Sequence, residues 1–340
     1  MVKNWVKLHF LIVLTFALTC WAGANAALAQ QVDVKSLEIS VTDLRGKKIN
    51  LAKPANRIVC LIESALSGLY MLGAGQRVVG ISTSVYQEGV VNYYQKLDSR
   101  FRDKTLPTPG NWDFINIEKV IGLKPDLVII WAHQEEAIRA LEERNIPVFG
   151  VFIKSFEDVF QEIRALGALT GTEDRAAVLV EYTRHELRLV NERISVKNRP
   201  VPVYFMWSQG ELETSGRPST VQELITLAGG ENVAGSIDQE HAVVNMEKVL
   251  RWNPEVIIMW SDPRKGPKDI LGNPVWRNIR AVRDSKVYQL PDMFSCDLWT
   301  LKFEVAVKVI AKWLYPDLLQ DMDLDAEKAK IFDELYRTPL

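Results

Sequence analysis

The chain has 340 residues, 25% of them charged and 47% hydrophobic, which is enough for two domain cores. Lysine and arginine number 41 against 43 aspartates and glutamates, and a net charge of −2 gives no basis for nucleic-acid binding. Ten tryptophans are many for packing alone, so some are expected at a site.

The first segment reads as an export signal. Lys3 and Lys7 form a positive start, Phe10 to Trp21 is an apolar run too short to span a bilayer, and Ala27-Leu28-Ala29 is a cleavage site. The signal peptide is set at 1–29. Cys20 offers a lipoprotein alternative, weakened by Thr19, because a small residue is wanted before such a cysteine. Cleavage leaves Cys60 and Cys296; Cys60 reads as a buried thiol rather than half of a disulfide.

Residues 37–51 alternate around Leu44-Arg45-Gly46-Lys47 and predict a hairpin. Strand 57–62, helix 63–72 and strand 77–82 then make the unit of a parallel sheet. A polar, aromatic stretch follows at 83–110, with Tyr86, Tyr93, Tyr94 and two prolines. A helix over 134–143 and a strand over 146–151 follow. Phe156, Phe160, Ile163 and Leu166 have helical spacing, closed by Gly167 or Gly171. Thr172 is expected to cap a long helix over 173–196, whose stripe runs Ala176, Val180, Thr183, Leu187, Val190, Ile194. It reads as a rod joining two lobes. Beyond Pro200 come a strand over 201–207, a polar loop to Pro218, and a helix from Val221 with Thr220 and Glu223 as its capping box. A loop over 262–273, a strand over 286–290, and helices over 301–314 and 327–336 complete the chain.

One stretch occurs twice. Residues 116–131, NIEKVIGLKPDLVIIW, align with 245–260, NMEKVLRWNPEVIIMW, at seven identities in 16 positions. In each, an asparagine caps a short helix, a glutamate lies in its first turn, a proline stops it, and an apolar run ending in tryptophan reads as a strand buried on both faces. Two lobes on one plan are the expectation. Glu118 and Glu247 have a plainer reading as helix capping, but their repetition at matching places favours a function.

Taken together, these stretches resemble the periplasmic substrate-binding proteins of ABC importers, in the class that carries ferric siderophores, haem and cobalamin. The likeness spans about 40–315. It rests on Arg57-Ile58-Val59, Leu72-Gly73-Ala74-Gly75, Arg77-Val78-Val79-Gly80, Asn116-Ile117-Glu118, Leu123 to Val128 and Ile146-Pro147-Val148 in the first half. In the second it rests on Leu227-Ala228-Gly229-Gly230, Asn232-Val233, Glu247, Trp252-Asn253-Pro254, Ala281-Val282 and Lys286-Val287-Tyr288. Where the family often has glycine, this chain has Asn145, which also tolerates a left-handed turn.

The resemblance implies an α/β fold of two lobes, each with a central, mostly parallel sheet, joined by one long rigid helix. The lobes are set at 37–155 and 200–340, with connecting helices over 156–199. It further implies an importer component rather than an enzyme, with no catalytic residue, cofactor or structural metal. Its partners would be a metal chelate and the ABC permease subunits, and the chain would work as a monomer without nucleic acid. Glu118 and Glu247 would dock onto arginine pockets of the permease, a rim pairing that favours orientation and on-rate.

In open α/β sheets the ligand crevice lies beyond the carboxyl ends of the strands. The loops that meet there carry Tyr86, Trp112 and Trp131 from lobe one, and Trp207, Arg217, Trp260, Met293 and Phe294 from lobe two. Tryptophans suit a broad, partly apolar ligand. Sheet-end packing is the alternative for Trp131 and Trp260. Arg217, with the helix start at Ser219 and Thr220, could hold an oxyanion, or be a solvated arginine. His133 and His241 fall in cleft loops, but no compact metal-ligand set accompanies them. Gln289 to Leu301 contains no arginine, which weighs against an anionic siderophore held from that side. The chain has no G-x-S-x-G, H-E-x-x-H or phosphate-binding glycine loop. Molybdate or tungstate, held by Thr83, Ser84, Ser215 and Thr220, is the rival cargo.

Overall fold

A computed structural model describes residues 38–87, 89–196 and 199–338. The export signal read at 1–29, and Cys20 within it, lie outside the described residues. The hairpin forms as β1 (Ile39–Thr42) and β2 (Lys48–Leu51), in the register Thr42↔Lys48. Asp43 closes its turn by accepting bonds from the Arg45 and Lys47 N–H groups at 3.0 and 2.9 Å.

Lobe one follows as β3 (Ile58–Cys60), α1 (Glu63–Met71), β4 (Val78–Ile81), α2 (Val90–Leu97), α3 (Ser99–Arg102), α4 (Ile117–Gly122), β5 (Leu127–Trp131), α5 (Glu135–Glu142) and β6 (Val148–Val151). Its strands are parallel in the order β4-β3-β5-β6. β5 starts where it does because the Asp126 carboxylate accepts the Asn56 and Arg57 N–H groups, while Asp126 N donates to Arg57 O.

The connection is α6 (Phe156–Thr170) and α7 (Glu173–Ile194). Ser155 and Asp158 cap α6 reciprocally, and Gly171, at φ 65°, ends it. At about 1.5 Å per residue, the 22 residues of α7 span roughly 33 Å. Thr172 does not cap α7 as expected; its hydroxyl pairs with that of Thr170 at 2.9 Å.

Lobe two contains β7 (Val201–Met206), β8 (Glu213–Thr214), α8 (Thr220–Leu227), β9 (Gly230–Asn232), β10 (Ala242–Val243), α9 (Met246–Trp252), β11 (Val256–Met259), α10 (Pro267–Leu271), α11 (Arg280–Arg283), β12 (Val287–Gln289), α12 (Phe303–Leu314) and α13 (Leu324–Tyr336). Its four-stranded sheet is parallel, ordered β12-β11-β7-β9. The cap of α8 is Ser219, which accepts from Gln222 N. Glu223 does not complete the expected box with Thr220. Its carboxylate instead accepts the Phe156 N–H at 2.7 Å and so ties lobe two to α6.

The repeat emerges as matched structure. β5 lies between β3 and β6, and β11 between β7 and β12. Asn116 and Asn245 each accept a bond at 2.9 Å, from Lys119 N and Lys248 N. Lys124 and Asn253, at matching positions, both turn through positive φ, 48° and 45°.

An ion hub fixes the connection to lobe two. Lys308 Nζ on α12 lies 2.6 Å from Glu186 on α7, 2.6 Å from Glu327 on α13 and 3.2 Å from Glu304. α13 then returns to lobe one, where Tyr336 Oη meets Ser67 Oγ of α1 at 2.5 Å.

Candidate functional site: an aromatic cleft between the lobes

Three loops beyond the strand ends of lobe one are bound into one lip. Thr83 N donates to Gly110 O at 3.0 Å. Gln134 Nε2 donates to the carbonyls of Asn111 and Trp112. Gly110 is needed at this crossing, since a Cβ there would lie 2.4 Å from Phe114 O. The lip brings Trp112, 61% exposed, beside the loop of half-buried Trp131, whose ring centre is 6.3 Å from that of His133. Tyr86 turns away from this lip: its hydroxyl donates to Leu106 O and its ring meets Phe101 edge-on at 6.3 Å.

Lobe two answers with a wall of tryptophans. Trp207 lies 5.2 Å from Trp260 and 6.5 Å from Trp299, nearly parallel to the latter, and Trp260 meets Trp299 edge-on at 6.2 Å. Trp207 Nε1 donates to Ser215 Oγ at 2.9 Å, which fixes the ring. Trp260 is only 7% exposed, so it backs the wall rather than facing a ligand.

Several charged groups around the wall are already paired. His241 meets Glu213 at 2.6 Å, with its ring 6.3 Å from Trp207. Glu211 accepts from Lys265 and the Trp276 indole; burial pushes its carboxyl up, but these donors outweigh burial and hold it below its ordinary value. Arg264 pairs with Asp262 and lowers that carboxyl. Arg217 is exposed and pairs with Asp238 at 2.8 Å. Ser219 N donates to Arg217 O, and the Ser219 hydroxyl accepts from Gln222 N, so two N–H groups of the helix start expected to help Arg217 hold an anion are already taken. Among the described residues no group of three or more His, Cys, Asp or Glu side chains is arranged to hold a metal ion.

A cavity of about 760 Å³ lies between the lobes, where Val90, Tyr93 and Lys96 of α2 face Ser261–Pro263 and Pro291–Phe294. Met293 is exposed at its edge. Phe294 forms its floor and is 2% exposed: its ring stacks on Tyr93 at 4.1 Å, with Lys302 Nζ 3.5 Å from the ring centre.

A family model for periplasmic binding proteins matches residues 58–293, most of the chain. The chain belongs to that family. It is 25% identical over 323 residues to the molybdate-binding protein MolA of Haemophilus influenzae, covering 88% of this chain and 91% of that one. The solved structure of MolA bound to molybdate superposes with a TM-score of 0.76, covering 88% of this chain and 98% of that one. A substrate-binding lipoprotein of an ABC transporter, YvrC of Bacillus subtilis, is 27% identical over 83% of this chain and 87% of its own. A vitamin B12-binding protein of Yersinia pseudotuberculosis is 24% identical over 61% of this chain and 70% of its own. These relatives place the protein among the ligand-binding components of ABC importers.

In this binding protein Glu118 and Glu247 are both exposed, in the first turns of α4 and α9. Glu247 shares a surface pair with Arg251 at 3.2 Å. Tyr93 lines the cavity without having been singled out in the sequence, whereas Trp299 ends the loop carrying Met293 and Phe294 that the sequence already places at the crevice. The signal for Tyr93 was present, since Val90, Tyr94 and Leu97 have the i, i+4, i+7 spacing of a helix. The aromatic, polar composition of the stretch concealed it. Trp299 sits 39 residues from Trp260, and the fold brings the two rings into edge-on contact.

Proposed function

We propose that the protein captures a bulky metal chelate — a ferric siderophore, haem or cobalamin — between its lobes and delivers it to an ABC permease. The observations that support this reading are the wall of Trp207 and Trp299, backed by Trp260, on lobe two and the exposed ring of Trp112 on the lip of lobe one. Aromatic faces reward a broad apolar surface, whereas a small oxyanion needs several free donors. Around the wall Arg217, Arg264 and Lys265 are each paired with a carboxylate.

Molybdate or tungstate is the second reading, favoured by the 25% identity to MolA over 88% of this chain. Intrinsic tryptophan fluorescence titrated with ferric siderophores, haem, cobalamin, molybdate and tungstate separates the two. Saturable quenching by one chelate supports the first, and a response to oxyanions alone replaces it with the second. Trp112→Ala is expected to weaken chelate binding by more than about 1 kcal/mol.

The chain is proposed to act in the periplasm after cleavage of residues 1–29, as a carrier without catalysis. Glu118 and Glu247 are proposed to dock on the permease. Glu118→Ala with Glu247→Ala should leave ligand binding intact and impair uptake; unchanged uptake removes them from the docking surface.

A further inference from the structure

At the junction of the lobes the Asp297–Lys302 pair lies within reach of the charges of two further carboxyls, so that four ionisable side chains from three parts of the fold act on one another. Glu63 comes from α1, Glu162 from α6, and Asp297 and Lys302 from the segment 291–302 that precedes α12. Glu162, Asp297 and Lys302 are 1%, 4% and 0% exposed. Buried charges are ordinarily paired at hydrogen-bond distance. Here Lys302 Nζ is 3.9 Å from Asp297 Oδ2, and neither atom has a hydrogen-bond partner, nor has Glu162 Oε1. Glu63 is held by the Tyr94 hydroxyl at 2.8 Å. The other titratable groups facing the cluster include Cys60 of β3, Tyr94 of α2, Tyr336 of α13 and, on the segment itself, the buried thiol of Cys296.

Segment 291–302 bridges the two sides of the cleft. At one end Phe294 sits among Tyr93, Tyr94, Phe332 and Tyr336. Further along, Trp299 stacks on Trp207. Phe303, just beyond, stacks on Phe156 of α6 at 3.7 Å. The seating of this segment therefore sets the floor of the cavity and one ring of the wall.

We propose that Glu162 is a positioning residue for the cleft: with Asp297 and Lys302 it forms a proton-dependent seat for segment 291–302, firm in mildly acidic medium and loosened as the medium becomes alkaline. With a single lysine among the three buried groups, ionising both carboxylates leaves one negative charge uncompensated against an apolar floor, and moving the segment outward relieves it. Burial, and then the charge of Asp297, push the Glu162 carboxyl up to about 8. Burial, opposed by Lys302 and reinforced by Glu63, pushes Asp297 up to about 7. Carboxyls raised in the seated form favour seating at low pH, and that advantage is lost as pH rises through these values. The consequence for cargo rests on the cleft proposed above, but seating itself is read without any ligand.

Hydrogen exchange of the purified, ligand-free protein between pH 6 and 8, corrected for intrinsic exchange, tests this. The opening constant of 291–302 is expected to rise on the order of a hundredfold per pH unit at the acid end of this range, where opening releases a proton from each of the two carboxyls, and more steeply than in β3 and β5. In Glu162→Gln the slope should flatten while the fold is kept. Asp297→Asn gives the same reading if Glu162→Gln does not fold. Equal pH slopes in the segment and the sheet, or a wild-type slope in the foldable variant, would overturn the proposal. Failure of the fluorescence panel to find a chelate would leave the exchange result untouched.

Discussion

The two copies of the repeat end in tryptophans with different fates. Trp131 and Trp260 occupy matching positions at the ends of β5 and β11, after matched caps and matched positive-φ turns. Trp131 stays half-open beside His133, whereas Trp260 is sealed by Phe205, Trp207 and Trp299. Local sequence makes the same local structure twice. The neighbours decide whether the last ring is a contact surface or a core residue: in lobe two they are the end of β7 and a segment nearly 40 residues downstream. One lobe thus supplies a rigid aromatic wall and the other an exposed lip.

The largest expected effect breaks this asymmetry directly. Trp260→Ala should cost about 4 kcal/mol in urea unfolding, as for other large aromatic truncations in a core, and Trp131→Ala about 1 kcal/mol. Equal losses would show that the two rings are equally buried in solution. Next comes the scaffold behind the wall. Lys308→Met removes the cation from among Glu186, Glu304 and Glu327 and should cost about 3 kcal/mol near neutral pH. Glu304 is pushed up to about 8 by burial, against the pull of Lys308, from an ordinary value of 4.5. Such a group takes up a proton on folding, so its favourable contribution is full below about pH 4.5 and drains away as pH rises towards 8. The Lys308→Met deficit should therefore shrink as unfolding is measured towards pH 5; a deficit independent of pH would point to lost packing alone. The smallest effect tests the symmetry itself. Asn116→Ala and Asn245→Ala should each cost about 1 kcal/mol and match one another, because each removes one cap of the same length.

The site was less legible than the fold because buried polar side chains leave little signal in a helical pattern. Glu162, Glu186 and Glu304 lie on helices where a charged residue ordinarily marks the solvent face, yet each is buried against another element. Phe294 was readable as a cleft residue, but its role as floor comes from Tyr93, 201 residues earlier, stacking on it. Arg217 read as a free cation in a polar loop, and its pairing with Asp238 depends on the loop at 237–239 folding back onto Gly216.

What the sequence determined by itself is whatever depends on near neighbours: the asparagine caps of the two repeat helices, the proline and glycine stops, the apolar runs of the central strands, the long helix, and their order along the chain. Those fixed two α/β lobes, a rod between them and a crevice at the strand ends. What only the tertiary structure decided is which aromatic rings face the crevice, which are sealed behind it, and which carboxylates are shut in at the lobe junction. These outcomes depend on contacts between residues far apart in the chain, such as Trp207 with Trp299 and Glu162 with Asp297, and no local pattern of spacing or composition encodes them.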